Sequence, residues 1–432
     1  MTLKTVYVDA LIGPTYHFGG LALGNLYSMR NKHAVSNPRK AALEGLEKMK
    51  RVLDSGCDQY IFPPIRKNLS DCAELLSKDV LTQADLEQVA IRQTVATYFS
   101  ASAAWMANAC TATASLDTHD SSSHLTTANL SFAKHRSLDA MKMHDLMHKF
   151  VSDTDILLHE PFSKSFGDEG MANTIRLSGN DFKGLYLSVF GKSMTKAFSK
   201  QFPARHHKET ALRLSEQQHR FSEQEFIIQQ HPDAIDAGVF HNDVISFGMH
   251  NVLFVHERAF VNQTECMADI KQRYQRLFGQ PLFVYEFLDS ELTLSQAVAS
   301  YFFNSQLLRL GPNHYKLLLP HSCEQLPQFS TLVRRFNDFN DIHIDWELVN
   351  CEESLKNGGG PACLRFFLQD KASILESLNP AFQFDLAMYE RCKAFVQSRY
   401  PDSLSADDLF SLAFLKQQCQ LIDELYSFWA LS

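Results

Sequence analysis

The run NGGGPACLR, residues 357–365, sets a single cysteine, Cys363, behind three glycines, a proline and an alanine. Glycines reach backbone conformations closed to other residues and let a neighbouring group come close. Pro361 then stiffens the exit by fixing φ. That frame suits a thiol at the floor of a pocket; it also suits a plain tight turn. As a nucleophile, Cys363 would need thiolate character from a nearby cation or base. A base and a carboxylate stand together in HNDVI, residues 241–245. If that segment begins a strand, His241 and Asp243 share one face; the same letters would also fit a polar strand end at the surface. In GDEGMAN, residues 167–173, Asp168 and Glu169 lie between glycines, either beside a closely approaching group or in an ordinary acidic turn.

Two other patterns argue against particular chemistries. HDLMH, His144 to His148, has helical i, i+4 spacing, but it lacks the HExxH glutamate and no third ligand stands out. A solvated helix face is expected there, and no metal. GGLALGN, Gly19 to Asn25, is neither GxGxxG nor a Walker loop, because no lysine follows its last glycine, so no nucleotide cofactor is expected. A substrate-contacting loop after the first strand remains open. Nine cysteines lack CxxC or CxxxC pairs and read as reduced thiols of a cytosolic protein, most of them buried small hydrophobes. A net charge of -8 argues against a nucleic-acid partner, while a few local arginines could still serve a small anion. The N-terminus reads as a strand and glycine loop rather than a signal peptide, with Asp9 interrupting its apolar run. No stretch has the apolar length to span a bilayer.

These groups must be positioned by elements that are legible in outline. SNPRKAALEGLEKMKRVLDSG predicts a helix capped by Asn37, opened by Pro38 and ended by Gly56. TQADLEQVAIRQTV predicts another, with Thr82 and Asp85 in capping-box spacing. NQTECMADIKQRYQRLFG, PQFSTLVRRFNDF and the last fifty residues are also expected to be helical. Between them lie short apolar runs: LYLSVFGK, HNDVISFGMHNVLFVHER, LFVYEF, QLLRLGPNHYKLLLP, IHIDWELV and CLRFFLQ. HNDVISFGMHNVLFVHER, QLLRLGPNHYKLLLP and SSHLTTANLSFAKHRS each predict a hairpin leading into a helix. Recurrence of that unit implies a repeat architecture rather than a Rossmann sheet. No Pro/Gly/Ser-rich linker divides the 432 residues, which favours one large domain over 1–432.

GGLALGN with Ser28, SNPRKAALEGLEKMK, WMANA, TANLSFAKHRSL, GDEGMAN, FPAR, DAGVFHNDV, YFFNSQLL and NGGGPACLR occur in this order along nearly the whole chain. Together they resemble the N-succinylarginine dihydrolase family, within the guanidine-modifying, amidinotransferase-like (pentein) superfamily. The resemblance implies an α/β propeller of five ββαβ units in pseudo-fivefold arrangement around a central site. It puts the nucleophile on Cys363 and two further catalytic roles on Glu169 and His241. Substrate contacts carry over to Gly19, Gly20, Leu21, Ala22, Leu23, Gly24, Asn25, Leu26, Tyr27 and Ser28, and to Asn108, His135, Arg136, Arg205, Asp243 and Asn357. No motif marks 180–200 or the C-terminal helices.

The activity implied is hydrolysis of N2-succinyl-L-arginine to N2-succinyl-L-ornithine, two ammonia and carbon dioxide. It needs no cofactor or metal, and the family suggests a cytoplasmic homodimer. A deiminase or amidinotransferase on the same scaffold, a non-catalytic binder of arginine derivatives, and a thiol amidase are the competing readings. The amidase fits worst, because two carboxylates near the cysteine would repel a developing oxyanion.

Overall fold

The computed structural model of the protein describes residues 3–167 and 170–431. The chain opens with β1 (Leu3–Ala10), crosses over through a helix at Pro38–Asp54, and returns parallel as β2 (Asp58–Phe62). That helix forms where the sequence predicts it. The Asn37 side chain accepts from the Lys40 N–H, Pro38 occupies the first turn, and Gly56 turns the chain out at φ +77°. Its inward face is Ala41, Ala42, Leu46, Met49 and Val52, all buried. Each of the larger side chains contributes about 1.5–3 kcal/mol by leaving water.

Four further units repeat one plan of antiparallel hairpin, helix, and third strand parallel to the middle one. They are β3 (Cys110–Thr113), β4 (His124–Thr127) and β5 (Leu157–His159); β6 (Thr174–Ser178), β7 (Gly184–Phe190) and β8 (Glu225–Gln229); β9 (Ser246–Met249), β10 (Val252–His256) and β11 (Phe283–Phe287); and β12 (Gln306–Gly311), β13 (His314–Pro320) and β14 (His343–Val349). The last strand, β15 (Arg365–Lys371), pairs antiparallel with β1, so the fifth sheet, β15-β1-β2, joins the last strand to the first. Middle strands are buried throughout in β4, β7 and β10, as strands covered on both faces must be.

Beyond β15, helices at Leu386–Arg399 and Leu412–Tyr426 follow, the first packed on Pro38–Asp54. The buried Trp429 indole N–H donates to the Ile61 carbonyl at 2.8 Å, tying the tail to β2. Among the described residues no helix is long and apolar enough to cross a membrane.

Three expectations are corrected. The segment at His241 does not begin a strand: Asn242–Val244 form a 3-10 turn, and β9 starts at Ser246. His241 and Asp243 are therefore set by a turn rather than by strand alternation. The Thr82–Asp85 box is made, with Asp85 accepting from Thr82 at 2.9 Å (N–H) and 2.7 Å (O–H), and the Asp85 N–H reaching the Thr82 hydroxyl at 3.3 Å. It heads a short 3-10 turn, however, and the α-helix starts only at Val89. SSHLTTANLSFAKHRS supplies one strand, not two; the hairpin partner of β4 is β3, upstream.

Candidate active site

A tight turn precedes the first strand of every unit: Met106–Asn108, Met171–Asn173, Asn242–Val244, Phe302–Asn304, and residues 361–364. Adjacent turns touch in a closed circuit. The Ala107 N–H donates to the Cys363 carbonyl (3.1 Å), and Asn108 packs on Gly170, where a Cβ would stand 2.6 Å from its Cα. The Asn242 N–H reaches the Asn173 side-chain oxygen (3.0 Å), and the Asn304 amide donates to the Asp243 carbonyl (3.2 Å). Asn304 closes the circuit, its carbonyl accepting from the Ala362 N–H (3.0 Å) and its side-chain oxygen from the Cys363 N–H (3.2 Å). Backbone groups that would be orphaned in a buried hub are thereby paired.

The glycines before Cys363 answer to close neighbours. Gly358 sits at φ +83° with the Asn25 side chain against it, and a Cβ on Gly360 would meet the Asn304 oxygen at 2.5 Å. On Gly359 a Cβ would lie 1.6 Å from the Trp105 indole nitrogen. Gly359→Ala is therefore expected to destabilise the fold by at least about 1–3 kcal/mol, the scale of core overpacking. A denaturant midpoint unchanged from wild type would show that the indole yields freely.

Cys363 is 2% exposed, and its thiol stands 3.6 Å from Asp243 Oδ2. Burial first, and the Asp243 charge second, push the thiol well above its usual pKa. Burial likewise raises Asp243 to about 6, against the pull of Arg365. Among the described residues Asp243 Oδ1 is buried without a hydrogen-bond partner. His241 is 1% exposed, and the Arg205 guanidinium approaches its Nε2 at 3.4 Å. A guanidinium only donates, so Nε2 presents its lone pair there. Arg205 also donates to the Leu23 carbonyl at 3.3 Å and lies between the Phe132 and Phe240 rings, 4.8 and 4.7 Å from their centroids.

One cavity gathers Cys363, His241, Asn108, His135, Arg136, Arg205 and Asn357 with Gly19, Leu21, Ala22, Asn25 and Ser28. Gly20, Leu23, Gly24, Leu26 and Tyr27 lie off its wall. Gly20 and Gly24 take positive φ to fold the loop, and Leu26 and Tyr27 pack on the apolar core. Asp243 is not among the wall residues but reaches the thiol of Cys363, which is. Asn25 caps the short helix at Leu26–Arg30 and donates to the Gly358 carbonyl (3.2 Å), while the Ser28 hydroxyl donates to the Asn357 side chain (3.1 Å). The glycine loop is thus tied to the segment bearing the thiol. Glu169 and Asp168 lie outside the described residues. Sequence reasoning passed over His17, Ser100, Ser102, Trp105, Phe240 and Gly358 as wall residues, although WMANA and NGGGPA contain two of them.

HDLMH lies on the helix at Ala140–Val151, where His144 Nδ1 meets the Thr127 hydroxyl at 3.0 Å and His148 is exposed. All nine cysteines are free thiols.

Residues 3–432 match the family model described as succinylarginine dihydrolase. The N-succinylarginine dihydrolase of Pseudoalteromonas atlantica is 35% identical, covering 97% of this chain and 96% of its own. That of Marinobacter nauticus is 36% identical, covering 96% and 95%. Among solved structures, the apo arginine dihydrolase ArgZ superposes at TM-score 0.52 and 11% identity, over 84% of this chain and 40% of its own. The product-bound N-terminal domain of ArgZ gives TM-score 0.50 at 11% identity, over 84% and 97%. The five-unit architecture is the pentein α/β propeller. By family model and by full-length relatives alike, the chain belongs to the succinylarginine dihydrolase family.

Proposed function

We propose that the protein hydrolyses N2-succinyl-L-arginine with two waters to N2-succinyl-L-ornithine, two ammonia and carbon dioxide. The observation that carries this reading is the buried thiol of Cys363 beside the Asp243 carboxylate, in a cavity shared with His241 and two guanidiniums. A guanidinium carbon is a poor electrophile, because its charge spreads over three nitrogens. The Asp243 carboxylate, beside the thiol, takes two N–H groups of the guanidinium in a fork and brings its carbon to Cys363. The bound cation then offsets the burial that keeps Cys363 protonated, and the thiolate attacks.

His241 takes the thiol proton as Cys363 attacks and passes it to the departing ammonia, leaving an amidino-thioether, and then, as the neutral base, activates the water that cleaves it. Glu169 orients His241 or holds a further N–H of the substrate. The ureido product re-enters the same cycle, losing the second ammonia and carbon dioxide. Arg136, Arg205 and N–H groups of the Gly19–Ser28 loop receive the two carboxylates of the substrate.

Counting ammonia tests the reading. Two per N-succinylarginine, with no ureido compound accumulating, is the expected result. One ammonia and a stable ureido product would mark a deiminase instead.

A further inference from the structure

Among the described residues, Trp105 Nε1, Ser102 Oγ and His17 Nε2 of the cavity wall are buried with no hydrogen-bond partner. Such atoms are few in folded proteins and point to a water or ligand. His17 is the most informative, because its protonation can be deduced. It is 7% exposed, and its Nδ1 lies 2.9 Å from the Thr15 carbonyl oxygen. A carbonyl only accepts, so Nδ1 carries the hydrogen and, in the neutral ring, Nε2 is a bare acceptor on the opposite edge.

Burial, with Lys67 adding to it, pushes the His17 pKa down, which favours that neutral form. Elsewhere on the wall of the same cavity stand donors and positive charge: Arg136, Arg205 and the Trp105 N–H. A ligand that brings two carboxylates to the guanidiniums and one neutral N–H to His17 would satisfy all of them.

We infer that His17 Nε2 accepts the hydrogen bond of the substrate's acylamino N–H, and that this contact selects N-acylated arginine over free arginine. The inference rests on the proposed function. Free arginine would bring an α-ammonium into a cavity already holding two guanidiniums. The acyl group removes that charge and leaves one N–H for one acceptor.

The test compares N-succinylarginine with its ester analogue, in which oxygen replaces the amide nitrogen, in wild type, His17→Ala and His17→Gln. Ammonia released from the amide by wild type comes first; its absence would overturn the proposed function and this inference together. Wild type is then expected to favour the amide in kcat/KM by about tenfold to a hundredfold, since the ester sets a lone pair against Nε2. The preference should fall to within about threefold in His17→Ala and return in part in His17→Gln, whose side-chain oxygen can accept. A purely structural His17 would lower both substrates together and leave their ratio unchanged, overturning the inference. Proton uptake on binding, read from calorimetry in buffers of different ionisation enthalpy, would also overturn it, by showing an imidazolium on a carboxylate.

Discussion

Cys363→Ser is expected to lose turnover of N-succinylarginine by at least about a thousandfold, the scale on which removal of a covalent nucleophile is felt. Binding should stay within a few-fold of wild type. The thiol is enclosed, and both burial and Asp243 hold it in the protonated form. A bound cation beside Asp243 favours the thiolate there, and a serine hydroxyl is too weak an acid to follow. The contacts to the rest of the substrate come from other segments, so affinity measured by calorimetry should survive. Turnover in the serine variant within tenfold of wild type would remove Cys363 as nucleophile. A cationic haloacetamidine should likewise alkylate the wild-type thiol faster than a neutral haloacetamide of equal intrinsic reactivity.

Asp243→Asn should cost about 30-fold to several thousand-fold in kcat/KM, because a buried charged partner of the substrate is lost. The pH dependence carries its own sign. With Asp243 raised to about 6, the carboxylate that pairs with a permanently charged guanidinium is lost as pH falls through 6. Wild-type kcat/KM should therefore drop about tenfold per unit below that point, and the Asn variant should lack this step. Stability runs the other way. A carboxyl whose folded pKa exceeds its ordinary 3.8 favours the fold most below about pH 4, and that contribution is gone above about 6. The Asn variant should consequently melt higher than wild type at pH 7 while working far worse. A lower melting temperature at pH 7 would show that Asp243 is not held against its own ionisation.

What was legible in the sequence was local chemistry with a strong physical signature. Asn37, Pro38 and Gly56 bound their helix because cap, first turn and left-handed exit are each set by one residue type. The glycines before Cys363 marked close approach, and Asn25, Trp105 and Asn304 are what approaches. Less legible was anything set by contacts distant in sequence. The pairing of β15 with β1 has no local signal, and neither does the circuit of turns. The first strands begin at Cys110, Thr174, Ser246, Gln306 and Arg365, too unevenly for a period to be read. HNDVI looked like alternation, but the tertiary demand on Asn242 and Asp243, each bonded to a neighbouring turn, curls it into 3-10 geometry. Asn304 was visible within YFFNSQLL, yet only the fold shows that it holds the backbone of Cys363.

The join between β15 and β1 bears on how the molecule comes into being. A ribosome reads Leu3 to Ala10 long before it reads Arg365 to Lys371, and only then can the earlier strand find its antiparallel mate. Every shorter product ends with an open ring and, short of residue 363, without the sulfur. Linking such remote segments also makes annealing slow, since a loop of hundreds of residues must be gathered before its contacts can repay the lost freedom.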